Sequence, residues 1–258
     1  YVWGDYGWNS NLMQWINQLS IRRFDLITAH SQDALEQTIL RGFARDKVKL
    51  LISGFESDRR VITVEERRQR RRERGVTDNE IVLANIARFY PEKAQDALLH
   101  SFREISARHP EARLWFLGVG PLEQDLRRLS TALGLDDRVS FLGFVEDVPG
   151  ILPLIDIQVH PSHNEGVALA VSGGMAAGLP IVASDVGGLR EVLKHGTTGL
   201  LVPPGDNRGF TQAVIDLIER PDQARRLGEA ARRFIENEYS LAQAVGEVER
   251  TYGEVLGR

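Results

Sequence analysis

A doubly wound α/β fold is the expectation for most of this chain, and it rests on two observations. From about residue 76 to residue 236, short apolar runs alternate with amphipathic stretches at the spacing of successive β-α units. Loops rich in glycine and polar residues follow several of those runs, where such sheets open onto a ligand crevice. The 258 residues, 42% apolar and 26% charged, suffice for a proper core in one large domain or two smaller ones.

Taken in order, the first segment (1–21) is aromatic-rich, with Trp3, Tyr6, Trp8 and Trp15, and does not read as a complete element. DLITAHS (25–31) reads as a strand, QDALEQTILRGF as a helix ending near Gly42, and KVKLLISGF (47–55) as a second buried strand. This β-α-β order is the unit of a parallel sheet. Residues 61–74 set six arginines among Glu65, Glu66 and Glu73. That stretch reads as a solvated helix connecting two domains, with a basic strip against an anionic membrane as the sharper alternative.

After Gly75 the alternation becomes regular. Strands are expected at 80–87, 112–120, 139–144, 156–162, 179–185 and 198–206. Helices are expected at 96–110, 122–135, 167–178, 189–196, 210–220, 222–237 and 241–256.

Composition narrows the function classes. With 32 basic and 36 acidic side chains, the net charge of −4 lacks the basic excess of a nucleic-acid binder. The absence of cysteine excludes disulfides and cysteine-ligated metals. No run approaches the roughly 20 apolar residues of a membrane span, so a cytoplasmic location is expected.

Four strand-end loops are candidates for chemistry. In ARFYPEKAQD, Arg88 and Lys93 put two cations at the mouth of the sheet, where they suit phosphate oxygens or a plain surface. GVGPLEQDL, with Gly118 and Gly120, reads as a phosphate-cradling turn or a structural tight turn; it lacks the third glycine of a dinucleotide fingerprint. VHPSHNEGVALAVSGG crowds His160, Ser162, His163, Asn164 and Glu165 at one strand end, with Gly166 opening the next helix. Helix-start amides there would favour an anion, and a carboxylate beside them suits a sugar hydroxyl or a developing positive charge. Two histidines without a third ligand make a poor metal site. In SDVGGLREV, Gly187 and Gly188 suit backbone approach to a ligand or a simple turn.

The run EGVALAVSGGMAAGLPIVASDVGGLREVLKHGTTGLLVPPGD looks like the signature of glycosyltransferase family 4, retaining enzymes of the GT-B fold. ARFYPEK, GVGPLEQDL, RVSFLGFVEDV and VHPSHNEG extend the match in the family's order, so that it covers essentially residues 25–256. The resemblance implies a complete Rossmann-like C-terminal donor domain (76–236) and the last third to half of an N-terminal acceptor domain (1–60). A charged interdomain segment (61–75) and a final helix (237–258) crossing back complete the arrangement.

It further implies a UDP- or GDP-sugar as donor, an unassigned acceptor, no metal or other cofactor, and no nucleic acid. Peripheral membrane contact, and a partner chain or dimer completing the N-terminal domain, are also in view. Arg88 and Lys93 would neutralise the donor diphosphate. Glu165 would face the transferred sugar, while Gly166, Val167, Ala168 and Leu169 would hold its hydroxyls and a phosphate. The base would lie against Gly143, Phe144 and Val145.

The chain departs from the family pattern near this cleft. The family's second glutamate, which grips the ribose, is replaced by Gly173; the interdomain loop reads Ser53-Gly54-Phe55-Glu56 instead of Asn-Gly-x-Asp; and Ala94 follows Lys93 where glycine is common. These departures motivate a second expectation, a catalytically impaired module that binds a nucleotide-sugar or a partner. A nicotinamide-dependent oxidoreductase would rest on the Rossmann-like pattern alone.

Overall fold

The computed structural model describes residues 24–51, 54–55, 60–166 and 168–257. The expectations for the Trp-rich start, Ser53, Glu56 and Val167 lie outside these described residues. The chain separates into two compact units, Tyr1–Gly54 with Leu241–Arg258, and Phe55–Ser240.

In the first unit, strand β1 (Ile27–Ala29), helix α1 (Gln32–Leu40) and strand β2 (Val48–Leu50) form the expected β-α-β unit. The two strands pair in parallel, Ile27 opposite Val48 and Ala29 opposite Leu50. The Ser31 hydroxyl accepts from the Ala34 amide at 3.0 Å and so caps α1. Gly42, at φ +95°, turns the chain after the helix. Ala29, Leu35 and Val48 form the small core, with Ile39 and Phe43 against it.

The second unit begins with a correction. The arginine-rich stretch forms helix α2 (Val64–Arg72), started by the Thr63 hydroxyl accepting from the Glu66 amide at 3.1 Å. One side of it turns inward instead of being solvated. Arg71 is only 1% exposed and donates to Asp156 at 2.9 Å, to the Leu154 carbonyl at 3.2 Å and to the Glu80 carbonyl. Arg67 donates to the other Asp156 oxygen at 2.7 Å and to the Pro153 carbonyl at 2.8 Å. Asp156 also accepts from the Val82 amide at 2.7 Å, which ties this cluster to the central strand. Arg68, Arg72 and Arg74 occupy the exposed side. A charge count cannot separate these two sides, because the carboxylate partner lies more than 80 residues away in sequence.

The sheet of this unit contains β3 (Ile81–Ile86), β4 (Ala112–Leu117), β5 (Val139–Phe141), β6 (Ile157–His160), β7 (Ile181–Ser184) and β8 (Leu200–Val202). Their order is β5-β4-β3-β6-β7-β8, and every neighbouring pair is parallel. After α2, the helices are α3 (Gln95–Arg108), α4 (Glu123–Ala132), α5 (Val148–Ile151), α6 (Leu169–Ala177), α7 (Gly187–Val192), α8 (Asn207–Glu219) and α9 (Pro221–Glu238). Helix α10 (Leu241–Leu256) returns the chain to the first unit, where Glu254 pairs with Lys49 at 2.9 Å.

Both faces of the sheet are covered, as the expected fold requires. Leu83, Leu114, Phe116, Val159 and Val182 point into one core with Leu98, Phe102 and Val214. The alternate residues Val82, Ala84, Trp115 and Leu117 enter a second core with Ile151 and Leu154. Ile181 and Ala183 join a third, beneath Met175, Leu189 and Ile235. Each fully buried Phe or Leu contributes roughly 1.5–3 kcal/mol. The chain therefore has the predicted α/β architecture of parallel sheets between helices. Among the described residues, no helix is long and apolar enough to cross a membrane.

Candidate active site

The strand order fixes where a ligand crevice should open. From β3 the chain winds outward through β4 to β5 in one direction, then returns to β6 and winds through β7 to β8 in the other. The switch point is the boundary between β3 and β6, and open α/β sheets bind ligands at the carboxyl ends of the strands there. The β3–β6 ladder pairs Leu83 with Ile157 and Ala84 with Gln158. The loops that follow these two strands are the ones carrying Arg88, Lys93 and Glu165.

The loop after β3 is anchored from below. Phe89 is fully buried, and its amide donates to the Val119 carbonyl at 3.1 Å. Arg88 is exposed, with its guanidinium 4.8 Å from the centre of the Tyr90 ring, a cation–π contact that orients the fork. A single 3₁₀ turn, Pro91–Lys93, leads into Ala94, the one non-glycine residue with positive φ among the described residues (φ 50°, ψ 40°). An L-residue in this left-handed region costs about 1 kcal/mol, and Ala94 bears it at the position where the family commonly has glycine.

The loop after β6 is stitched to that turn. The His163 amide donates to the Glu92 carbonyl at 2.8 Å, and the Asn164 amide reaches the same oxygen at 3.4 Å. The Lys93 ammonium donates to a Glu165 carboxylate oxygen at 2.7 Å, with side-chain exposures of 11% and 16%. Lys93 and Glu165, 72 residues apart in sequence, thus form one half-buried ion pair across the switch point. Arg88 shares the loop with Lys93, but its guanidinium packs on the Tyr90 ring while Lys93 takes the ion pair with Glu165.

The paired glycines of two loops make close backbone contacts within the protein. A Cβ on Gly188 would sit 2.2 Å from the Gly166 carbonyl oxygen, and one on Gly187 would sit 2.4 Å from that of Glu165. The Gly188 amide donates to the Glu165 carbonyl at 2.8 Å. These glycines let the α7 start lie against the backbone of the Glu165 loop. A Cβ on Gly118 would lie 2.0 Å from the Ala87 oxygen, and one on Gly120 would lie 2.4 Å from the Phe89 oxygen. GVGPLEQDL therefore supports the Arg88 loop from behind, a packing role that a phosphate-cradle motif does not anticipate.

The remaining expected site residues fall into two groups. Ala168 is buried, while Leu169, at the start of α6, is 56% exposed, and Gly166 is partly exposed beside Glu165. Gly143, at φ +68° with open space around it, precedes the exposed Phe144; Val145 packs partly against the core. The Gly118 amide donates to the Gly143 carbonyl at 2.8 Å and so joins this loop to the one beside Arg88. Gly173 lies on α6, four residues into the helix from Leu169. It lines a cavity of about 240 Å³ with Phe55, Ile62, Arg67, Leu152 and Leu179, and neither Lys93 nor Glu165 lines that cavity. A Cβ on Gly173 would meet Phe55 at 3.6 Å, an ordinary contact.

Beneath the loops lies a layer of buried carboxamides that sequence reasoning missed. Asn85, Gln95 and Gln158 are all 1% exposed or less. Gln158 donates from its amide nitrogen to the Ala170 carbonyl at 2.9 Å and lies 2.8 Å from His160 Nε2. That geometry suits a neutral ring, and burial, with the nearby Lys93 charge, pushes the His160 pKa down to about 3. Gly174 makes room for Gln158, because a Cβ there would overlap the carboxamide oxygen. The available signal was a lone amide inside an apolar strand run, as in IVLANIA and DIQVHPS. Among the described residues, no three histidine, aspartate or glutamate side chains come together as metal ligands.

Comparison with known proteins points the same way as this geometry. A family model described as glycosyl transferases group 1 matches residues 66–234, more than half of the chain. N-acetyl-alpha-D-glucosaminyl L-malate synthase of Bacillus anthracis is 28% identical over 239 residues, which cover 93% of this chain and 62% of that protein. A GDP-mannose-dependent monoacylated alpha-(1-6)-phosphatidylinositol monomannoside mannosyltransferase of Corynebacterium glutamicum is 33% identical over 187 residues, covering 69% of this chain and 48% of that one. The chain thus spans about half to three fifths of the length of these curated relatives. In fold it resembles the Anabaena protein Alr3699/HepE, crystallised with UDP and glucose, at a TM-score of 0.88 and 24% identity over 96% of this chain and 68% of that chain.

Proposed function

The chain belongs to the glycosyl transferases group 1 family, and on that premise we propose that it transfers a sugar from a UDP- or GDP-sugar to an acceptor hydroxyl with retention of configuration. The observation that carries this reading is the Lys93–Glu165 ion pair at the β3/β6 switch point, with Arg88 on the same loop. The likeness to a protein crystallised with UDP and the relationship to a GDP-mannose-dependent enzyme support a nucleoside-diphosphate donor. Residues 76–236 form the donor side of this proposal and residues 1–60 the acceptor side.

In the proposed reaction the bond from the anomeric carbon to the diphosphate oxygen breaks, and the acceptor oxygen forms the new bond on the same face. The acceptor proton passes to the departing phosphate oxygen. Lys93, Arg88 and the amides at the α6 start stabilise the negative charge that grows on that phosphate. Glu165 faces the sugar, where its carboxylate binds hydroxyls and balances positive charge at the ring. Phe144 and its neighbours Gly143 and Val145 receive the base. No protein group needs to remove a proton.

Titration calorimetry with UDP and GDP tests the donor site. Binding of one of them is expected, and no heat from either at millimolar concentration would remove the reading. Lys93→Ala is expected to weaken the diphosphate about 100-fold, because it removes a cation and leaves the Glu165 carboxylate facing phosphate oxygens. Uridine or guanosine, which lack the phosphates, should lose less than threefold. Equal losses for nucleoside and diphosphate would contradict the phosphate role.

Gly173 favours a second reading, an impaired module that binds a nucleotide-sugar or a partner without transfer. Glutamate at this position has room, since the Cβ makes only ordinary contact with Phe55 and Leu152. A recovered charge-assisted hydrogen bond is worth roughly 1.5–3 kcal/mol, so Gly173→Glu is expected to tighten diphosphate binding at least tenfold and to raise donor hydrolysis. If a wild type that binds but does not turn over gains neither, the impaired reading is favoured over the enzyme.

A further inference from the structure

We propose that Gln95 is a positioning residue that sets the Arg88 peptide, and through it the Arg88 guanidinium, with Asn85 holding Gln95 in place. The inference rests on the donor-site reading of Arg88 given above.

Gln95 is the first residue of α3 and is 1% exposed. Its amide nitrogen donates to the Arg88 carbonyl at 3.0 Å and lies 3.4 Å from the Asn85 side-chain oxygen. Asn85 is fully buried on β3, one residue beyond the last β3–β6 ladder pair, and its side-chain nitrogen donates to the Val159 carbonyl on β6 at 2.8 Å. A continuous path of amides therefore runs from β6, through β3 and α3, to the peptide that carries Arg88.

Two facts argue that this path does more than fill space. The Gln95 side-chain oxygen is buried without a hydrogen-bond partner among the described residues, an unfavourable state that an apolar side chain would avoid. Leu98 and Leu99, one turn further along α3, and Phe89, next to Arg88 in the loop, are apolar and fully buried. What the amide adds is the hydrogen bond to the Arg88 peptide. Arg88 is exposed and held at its tip by the Tyr90 ring, so its reach depends on where that peptide sits. A misplacement on the order of 1 Å in such a charge–phosphate contact can cost up to about 100-fold.

The test compares wild type, Gln95→Leu, Gln95→Met, Arg88→Ala and the Arg88→Ala/Gln95→Leu double variant. Calorimetry would use UDP, GDP, uridine and guanosine. Gln95→Leu is expected to weaken the diphosphate that wild type binds about tenfold, while nucleoside affinity stays within twofold. In the Arg88→Ala background the same change is expected to have no further effect, because its route is then gone. An additive loss in that background, or equal losses for diphosphate and nucleoside, would overturn the proposal.

If Gln95→Leu does not fold, Gln95→Met keeps the side-chain length without a donor for the Arg88 carbonyl, and the same tenfold loss is expected. Wild-type affinity in Gln95→Met would also overturn the proposal. A wild type that binds no diphosphate would sink the donor-site reading and this inference together. Binding by wild type with no effect at Gln95 would sink this inference alone.

Discussion

Glu165→Gln is expected to reduce sugar transfer by about 1,000-fold while leaving nucleoside-diphosphate affinity unchanged or a few-fold tighter. The two halves of this result come from one geometry. Glu165 and Lys93 are paired at 2.7 Å with little exposure to solvent, so each charge largely cancels the other. Glutamine keeps the shape and removes the negative charge. Lys93 is then free to turn fully toward phosphate oxygens, which is why affinity should not fall. Transfer should fall because a carboxylate beside the sugar stabilises positive charge on the ring, and a neutral amide does not. Lys93→Ala is not the mirror image, because it leaves the carboxylate alone beside the incoming diphosphate. Release of UDP or GDP from the donor sugar, followed in parallel with calorimetry, reads both halves. Transfer within tenfold of wild type in Glu165→Gln would take Glu165 out of the mechanism. A large loss of diphosphate affinity would mean that the carboxylate organises the site and does not oppose its ligand.

The sequence made the layering of the second unit legible because its strands are buried on both faces. Runs such as ARLWFL and IVAS carry no competing pattern, and each lies in a buried β-strand. Strand ends were harder to place. The run 112–120 reads as one apolar strand, but β4 stops at Leu117 because Gly118 takes φ +144°, which extended strand residues do not adopt. The strand-end loops were legible as a candidate site because charge and glycine stand out against apolar runs. Their pairing was not: nothing local to EKAQD or HNEG shows that Lys93 donates to Glu165.

Arg71 and the buried Asn85 were illegible for the same reason. A polar side chain inside a core is identified by its partners, and Asp156 for Arg71 and Val159 for Asn85 are each more than 70 residues away.

The second large effect is expected at Gly118, where alanine should lower stability by about 4 kcal/mol and weaken diphosphate binding with it. Two costs combine. A side chain at φ +144° costs roughly 1–3 kcal/mol on backbone grounds alone. The new methyl would also lie 2.0 Å from the Ala87 carbonyl oxygen and 2.9 Å from its carbon, and overpacking of this kind typically costs about 1–3 kcal/mol more. Backbone atoms cannot swing aside as a side-chain end can, so the peptide leading into Arg88 must move. The Gly118 amide also holds the Gly143 carbonyl at 2.8 Å, so the loop assigned to the base should shift too. Gly134→Ala separates the two costs, because Gly134 has φ +70° but nothing within 4 Å of the added Cβ. It should cost only about 1–2 kcal/mol and leave diphosphate affinity intact. At about 2–4 °C per kcal/mol for a protein of this size, thermal midpoints should fall by about 8–16 °C for Gly118→Ala and by about 2–8 °C for Gly134→Ala. If the two variants lose the same stability, the contact between the Gly118 turn and the Arg88 loop is not what requires glycine there.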